Sequence, residues 1–190
     1  MRYLTITLLW LFALPAFATD ASDPAAKART YAETALKTWA ADSLIIAAVV
    51  DQNLRHATLT QGDIDGLDQK WMAELGKPVQ PMINSVLVNP PADLLRAQVE
   101  QTAGLITEVF VMDALGLNVA ASAITSDYWQ GDEAKFTQTF PKGAGAVHVS
   151  EVDFDESTQV YQLQVSFTLI NPADGAVIGA VTVALNAEYL

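Results

Sequence analysis

The 190-residue chain contains no cysteine. Without thiols it has no disulfide framework, no thiolate metal ligand and no sulfur nucleophile, so its fold rests on its core alone. Histidine is nearly as scarce, with only His56 and His148, and the common metal and nucleophile constellations are hard to assemble from so few imidazoles. Basic residues are also few: 10 Lys and Arg against 22 Asp and Glu give a formal charge of -12. From Leu105 onward Lys135 and Lys142 are the only ones. Binding phosphates or an anionic membrane surface requires clustered cations, so nucleic acid is not expected as a partner.

Catalytic signatures are missing too. There is no phosphate-cradling glycine-rich loop, no G-x-S-x-G elbow and no paired catalytic carboxylate. The stretch DIDGLD, Asp63 to Asp68, is like a calcium loop only in outline. Gly66 comes two places early for Asp63 as first ligand, Leu67 takes a ligand position, and the closing Glu is absent. Helix-start carboxylates account for it better. His148, between Val147 and Val149, reads as a strand histidine, and Asp153, Asp155 and Glu156 as solvated charge at a hairpin tip. The expectation is no catalytic residue, no metal, no cofactor and no enzymatic activity.

What is present is apolar material, 51% of the chain, enough for the core of one globular domain. At the start, Arg2, the run YLTITLLWLFALP and the small-x-small triplet Ala16-Phe17-Ala18 form a signal peptide over residues 1–18, cut after Ala18. The run, roughly 13 residues, is shorter than the ~20 needed to span a bilayer. Export to a periplasm is expected, with an uncleaved anchor as the alternative. A single domain then covers residues 19–190, helical over 23–104 and sheet over 105–190.

Asp23 and Pro24 start a helix, and nothing through His56 is Gly or Pro, which predicts one helix of about 30 residues. Its middle, LIIAAVV, is apolar nearly all round, predicting burial on more than one side. Thr60 caps a second helix bearing Ile64, Leu67, Trp71 and Leu75, ended by Gly76 and Pro78; Asn89 opens a third that closes near Gly104. The period then changes to 2. LITEVFVMD and NVAASAI form a hairpin, AVHVSEVDF alternates imperfectly, QVYQLQVSFTLI alternates without fault, and AVIGAVTVALNAEYL closes the chain after the Asn171–Gly175 turn. The fold class is α+β, a five-stranded antiparallel sheet with helices.

In the fourth strand Tyr161, Leu163, Val165, Phe167 and Leu169 share one face, and Gln162, Gln164, Ser166 and Thr168 the other. In the last strand Val177, Val181, Val183 and Leu185 oppose Ile178, Ala180, Thr182 and Ala184. A small, polar, uncharged face is either the floor of a ligand pocket or a face open to water, and the near absence of Lys, Asp and Glu favours the floor.

The helix order, LITEVFVMDALGLNVAAS, SDYWQGDEAKF and INPADGAVIGAVTVALN together resemble the extracytoplasmic Cache sensor domains, also called PDC or PAS-like, in single-module form. The resemblance runs from about Asp23 to Leu190. Its most specific pieces are Asp113-x-x-Gly116-x-Asn118, the DYWQGDE run and the D-G-x-x-I-G-A-V ending at Val181; it departs from the pattern at Ala120 and Ala121. It implies a PAS-like sheet with the long helix on one face and a pocket capped by the segment after the second strand. Tyr128 and Trp129 would form wall or lid, Gln130 a polar reader, and Asp132 the N-cap of a short helix. The other implied ligand-binding residues are Ser122, Lys135, Tyr161, Ser166 and Thr168. Tyr128 and Trp129 serving only to plug the core edge, and Asp113 and Gly116 serving hairpin geometry, are the competing assignments.

The function implied is a free-standing periplasmic sensor, without an output domain, that binds a small polar metabolite (amino acid, organic acid or amine) and passes its state to a partner. A membrane sensor protein and a homodimer through the long helix are the implied partners. The alternative is a ligand-free structural or dimerisation module. Lys135 favours a carboxylate ligand, whereas Tyr128 and Trp129 beside Asp127 or Asp132 favour a cation.

Overall fold

The computed structural model describes residues 23–156 and 158–190; the signal peptide expected over residues 1–18 lies outside them. Asp23 caps α1 (Pro24–Tyr31), accepting from the Ala25 N–H at 3.0 Å with Pro24 in the first helical position. A π-helical turn, Ala32–Leu36, leads into α2 (Lys37–Ala40). The single long helix read from the sequence is interrupted next. At Ala41 and Asp42 the backbone leaves the helix, the Asp42 carboxylate accepts from the Leu44 N–H at 2.8 Å, and α3 (Ser43–His56) starts anew. An aspartate that satisfies an orphan N–H stabilises a helix start, so a break needs neither Gly nor Pro. In α3, Ile45, Ile46 and Val49 are buried while Leu44 and Ala47 stay exposed, so the apolar stretch is covered on one side only.

Thr60 and Asp63 cap α4 (Gln61–Glu74) reciprocally, and Ile64 and Trp71 are buried as their spacing requires. A helix not expected from the sequence, α5 (Pro81–Leu87), follows. Its first N–H groups, of Met82 and Ile83, donate to Glu74 Oε2 at 2.9 and 3.0 Å, so its start is fixed by a carboxylate from the preceding helix rather than by a cap of its own. Asn89 accepts from the Ala92 N–H at 2.8 Å to open α6 (Pro90–Gln101).

The strands are β1 (Ile106–Met112), β2 (Asn118–Ala121), β3 (Val147–Val149), β4 (Asp153–Asp155), β5 (Val160–Ile170) and β6 (Val177–Asn186). Their order is β2-β1-β6-β5-β3 with β4 also beside β5, every pair antiparallel. Six strands replace the five expected because AVHVSEVDF is split. Val149 stands opposite Val165, but Asp153 stands opposite Gln162, so one extra residue is accommodated between them. That bulge is the physical origin of the imperfect alternation. Between β2 and β3 the chain crosses through α7 (Ala134–Thr137) and a 3-10 turn, Phe140–Lys142.

The sheet lies between two helical layers. On one face Leu163, Val165 and Phe167 of β5, Val181, Val183 and Leu185 of β6, and Val109 and Val111 of β1 pack with residues of α1, α2, α3 and α6. Each such side chain, fully buried, contributes roughly 1.5–3 kcal/mol. Ile178 joins this core instead of the opposite face read from strict alternation, because the β5–β6 register slips between Leu169 and Ile170. On the other face Phe110, Met112 and Ala180 meet Ile64, Trp71, Ile83, Val86, Tyr128 and Phe136.

Candidate functional site

The second face of the sheet is covered, not open to water: Ser166 and Thr182 are fully buried and hydrogen-bonded to each other at 2.9 Å. Next to them the cover stands away from the sheet. A cavity of about 470 Å³ opens there, lined by Glu108 and Phe110 of β1, Gln162 and Gln164 of β5, Leu75, Asp155, the segment Ile124–Ser126, Gln130 and Lys135. The register explains the floor. Glu108, Ala184 and Gln164 are cross-strand neighbours in one row, and Ala184 places only a methyl between two long polar side chains. Lys135, Asp155, Gln162 and Gln164 also line an adjoining outer cleft of about 550 Å³.

The roof is the chain between β2 and α7, fastened at several points. Asp68 of α4 accepts from the N–H groups of Tyr128 and Trp129 at 2.9 and 3.0 Å. Trp71 Nε1 donates to the Thr125 carbonyl at 3.0 Å, and Trp129 Nε1 donates to the Leu115 carbonyl at 2.9 Å. The Asn118 N–H donates to the Tyr128 carbonyl at 3.0 Å and the Gln130 N–H to the Gly116 carbonyl at 2.8 Å, which ties the roof to the β1–β2 turn. There Gly116, with φ of +81°, lies against Gly131: a Cβ on Gly116 would sit 2.5 Å from Gly131 Cα.

The charged residues of the cavity lining are Lys135, Glu108 and Asp155. The Lys135 ammonium lies 3.0 Å from Gln130 Oε1, 3.0 Å from Glu133 Oε2 and 5.3 Å from the centre of the Phe110 ring. Glu108 is half-buried, and burial pushes its carboxyl up to about 7; Lys135 opposes that rise and Asp155 adds to it.

Of the residues read from the sequence, Gln130 and Lys135 line this cavity together. The other six are placed elsewhere. Tyr128 is buried and stacked on Trp71 with centroids 5.7 Å apart, and burial raises its hydroxyl pKa. Trp129 covers the β1–β2 turn. Ser122 Oγ accepts from the Val109 N–H at 2.9 Å, extending the β1–β2 ladder. Ser166 is sealed against Thr182, Thr168 Oγ1 accepts from the Gly145 N–H at 3.2 Å, and Tyr161 is exposed with its ring against Phe154. Nor does Asp132 cap the short helix: Glu133 holds that position, without a side-chain cap bond.

Glu108, Phe110, Gln162, Gln164 and Asp155 also line the cavity, beyond the ligand-binding residues that the resemblance implies. Their signals were present: a lone charge in the apolar strand ITEVFVM, and two glutamines on the face already read as a pocket floor. Asp113 and Gly116 serve the turn. Asp113 is fully buried, its Oδ1 accepting from the N–H groups of Leu115 and Leu117 at 2.8 and 3.0 Å. Its Oδ2 accepts from Gln52 Nε2 at 3.0 Å and lies 2.7 Å from His56 Nδ1, links to α3 that spacing alone does not reveal.

No protein-family model matches the chain, and no curated protein matches it. Among solved structures it is similar to a domain described as the extracellular part of a histidine kinase, rpHK1S-Z16, at 19% identity over 86% of this chain and 60% of that one, with a TM-score of 0.44. It is also similar to the ligand-binding domain of the Campylobacter jejuni chemoreceptor Tlp3 in complex with 4-methylisoleucine, at 10% identity over 84% of this chain and 64% of that one, TM-score 0.41. A third is the ligand-binding domain of the Pseudomonas aeruginosa PAO1 amino acid chemoreceptor PctC in complex with GABA, at 15% identity, 90% and 62% coverage and TM-score 0.41. The chain thus spans about three fifths of the length of each. Among the described residues no helix is long and apolar enough to cross a membrane.

Proposed function

We propose that the chain is a small-molecule sensor module of the single-module Cache type, acting in the periplasm after export and carrying no catalytic activity of its own. Its ligand is a small polar metabolite, held between the Glu108–Gln164 floor and the Gln130–Lys135 roof. The observation that carries this reading is the cavity itself. A sheet covered by helices on both faces has no structural need for one cover to stand away from it, and here the cover does so where the sheet offers Glu108, Gln162 and Gln164.

The ligand's effect passes outward through the β1–β2 turn. The roof is bonded to that turn at Gly116 and Asn118. The turn is in turn held by α3: Asn53 Oδ1 accepts from the Ala114 N–H at 2.8 Å, and Gln52 and His56 grip Asp113. Closure of the roof on a ligand shifts the population of this assembly and with it α3, the element offered to a membrane sensor or to a second copy.

Thermal unfolding against a panel of amino acids, organic acids and amines tests the reading. A bound ligand adds about 2.7 kcal/mol of stability at a hundredfold excess over Kd. Gln164→Leu is expected to abolish the ligand-induced shift while leaving the unliganded melting temperature within a few degrees. A panel that shifts nothing rejects the sensor reading in favour of a ligand-free structural module.

A further inference from the structure

The cavity and its outer cleft are lopsided in charge. Glu108 and Asp155 line the cavity, Glu133, Glu151, Asp153 and Glu156 join at the cleft, and Lys135 is the one cation in either lining. That lysine is already engaged, with acceptors of Gln130 and Glu133 both at 3.0 Å. A ligand carboxylate would have to draw Lys135 from both and then lie beside Glu108 and Asp155, where like charges repel in a partly desolvated space.

Glu108 is in the opposite situation. Its carboxylate makes no hydrogen bond or ion pair with the described residues, and it stands in the floor next to the gap above Ala184. An ammonium lodged there gains the charge-assisted bond that Glu108 lacks. The side-chain carbonyl of Gln164 supplies a neutral acceptor on the same floor, beside that of Gln162, which already accepts from Thr107 Oγ1 at 2.7 Å. A second positive group on the ligand would point to the cleft, where the carboxylates are exposed or part-exposed and focus negative potential.

We propose that the ligand is an amine with more positive than negative charge, and that Glu108 is the residue that sets this specificity as its counter-ion, the outer carboxylates drawing the amine in. This rests on the ligand-binding reading of the cavity. It resolves the choice left by the sequence, where Lys135 favoured a carboxylate and neighbouring acidic residues a cation. The titration of Glu108 agrees: with its carboxyl near 7, an incoming ammonium favours the ionised form, so binding expels a proton and tightens as pH rises. Lys135 from α7 and Asp155 from β4 face the same group and pull its titration in opposite directions.

The experiment is calorimetric titration of the protein with 1,4-diaminobutane and spermidine, and separately with succinate and alanine, at pH 6 and pH 8. The expected result is binding of the two amines, several-fold tighter at pH 8, weakened by rising salt and reduced tenfold or more in Glu108→Gln. Glu151→Gln, on the exposed rim of the cleft, leaves the fold intact whatever Glu108→Gln does. It is expected to weaken spermidine binding and flatten its salt dependence. Binding of succinate or alanine without the amines overturns this proposal and leaves the ligand-binding reading standing. Amine affinity indifferent to both substitutions overturns it too. Silence toward all four compounds overturns it as well, and the wider thermal-unfolding panel then decides the ligand-binding reading.

Discussion

Glu108 opposes the stability of the folded chain when ionised, and the sign of that effect is fixed by its titration. An ordinary glutamate loses its proton near 4.5, whereas this one keeps it to about 7 when folded. Below both values the proton is present in the folded and unfolded states alike. Between them the folded state alone retains it, so stability falls as pH rises through that window and levels off above it. The size is at most about 3–4 kcal/mol, at roughly 1.4 kcal/mol for each pH unit of displacement. Urea unfolding midpoints measured from pH 4 to 8 are expected to show this decline in the wild type and lose it in Glu108→Gln, which gains stability at pH 8. Gly131 acts by size instead. A Cβ there would fall on the Trp129 ring nitrogen and 2.8 Å from the Leu115 carbonyl, so Gly131→Ala is expected to displace Trp129 and cost about 1–3 kcal/mol in chemical denaturation.

At the level of elements, α4 holds the roof through the Asp68 carboxylate as well as through Trp71. Asp68 holds two consecutive backbone N–H groups, and Asp68→Ala leaves both without a protein acceptor. The expected loss is about 1–3 kcal/mol of stability, accompanied by faster amide exchange at Tyr128 and Trp129 in particular. The same element shows what a sequence can and cannot disclose. The Thr60 cap, the Ile64/Trp71 face and the Asn89 start of α6 are legible because each depends on neighbours a few positions apart. So are β1, β2, β5 and β6 and the small polar face of β5, whereas the split of AVHVSEVDF into β3 and β4 is not. The break at Asp42 and the helix starting at Pro81 are not either, since the first looks like any polar residue in a helix and the second is fixed by Glu74 from the helix before. The site suffered likewise. DYWQGDE has the form of a motif, yet Tyr128 and Trp129 are spent on Trp71 and the turn. Glu108 entered through a register that brings β1, β6 and β5 into one row, a relation between residues 108, 184 and 164 that no local pattern contains.

Across the whole molecule, roof, turn and α3 form one hydrogen-bonded chain. Hydrogen exchange is therefore expected to slow on ligand addition not only over residues 124–130 but also at 113–118 and in the last two turns of α3, leaving α1 unchanged. Protection confined to the roof would sever the proposed route to a partner. The bulge between β3 and β4 bears on a different hazard. A sheet ending in a straight, apolar strand offers its unpaired amides and carbonyls to any other chain. Here one rim is bent by the extra residue and carries Glu151, Asp153 and Asp155. On the other rim the carbonyls of Asn118 and Val119 accept from Gln52 and Asn89 side chains, and the Asn118 N–H is taken by Tyr128. Both ends are closed to further strands, so the molecule can present a helix for association without recruiting β-stacking neighbours.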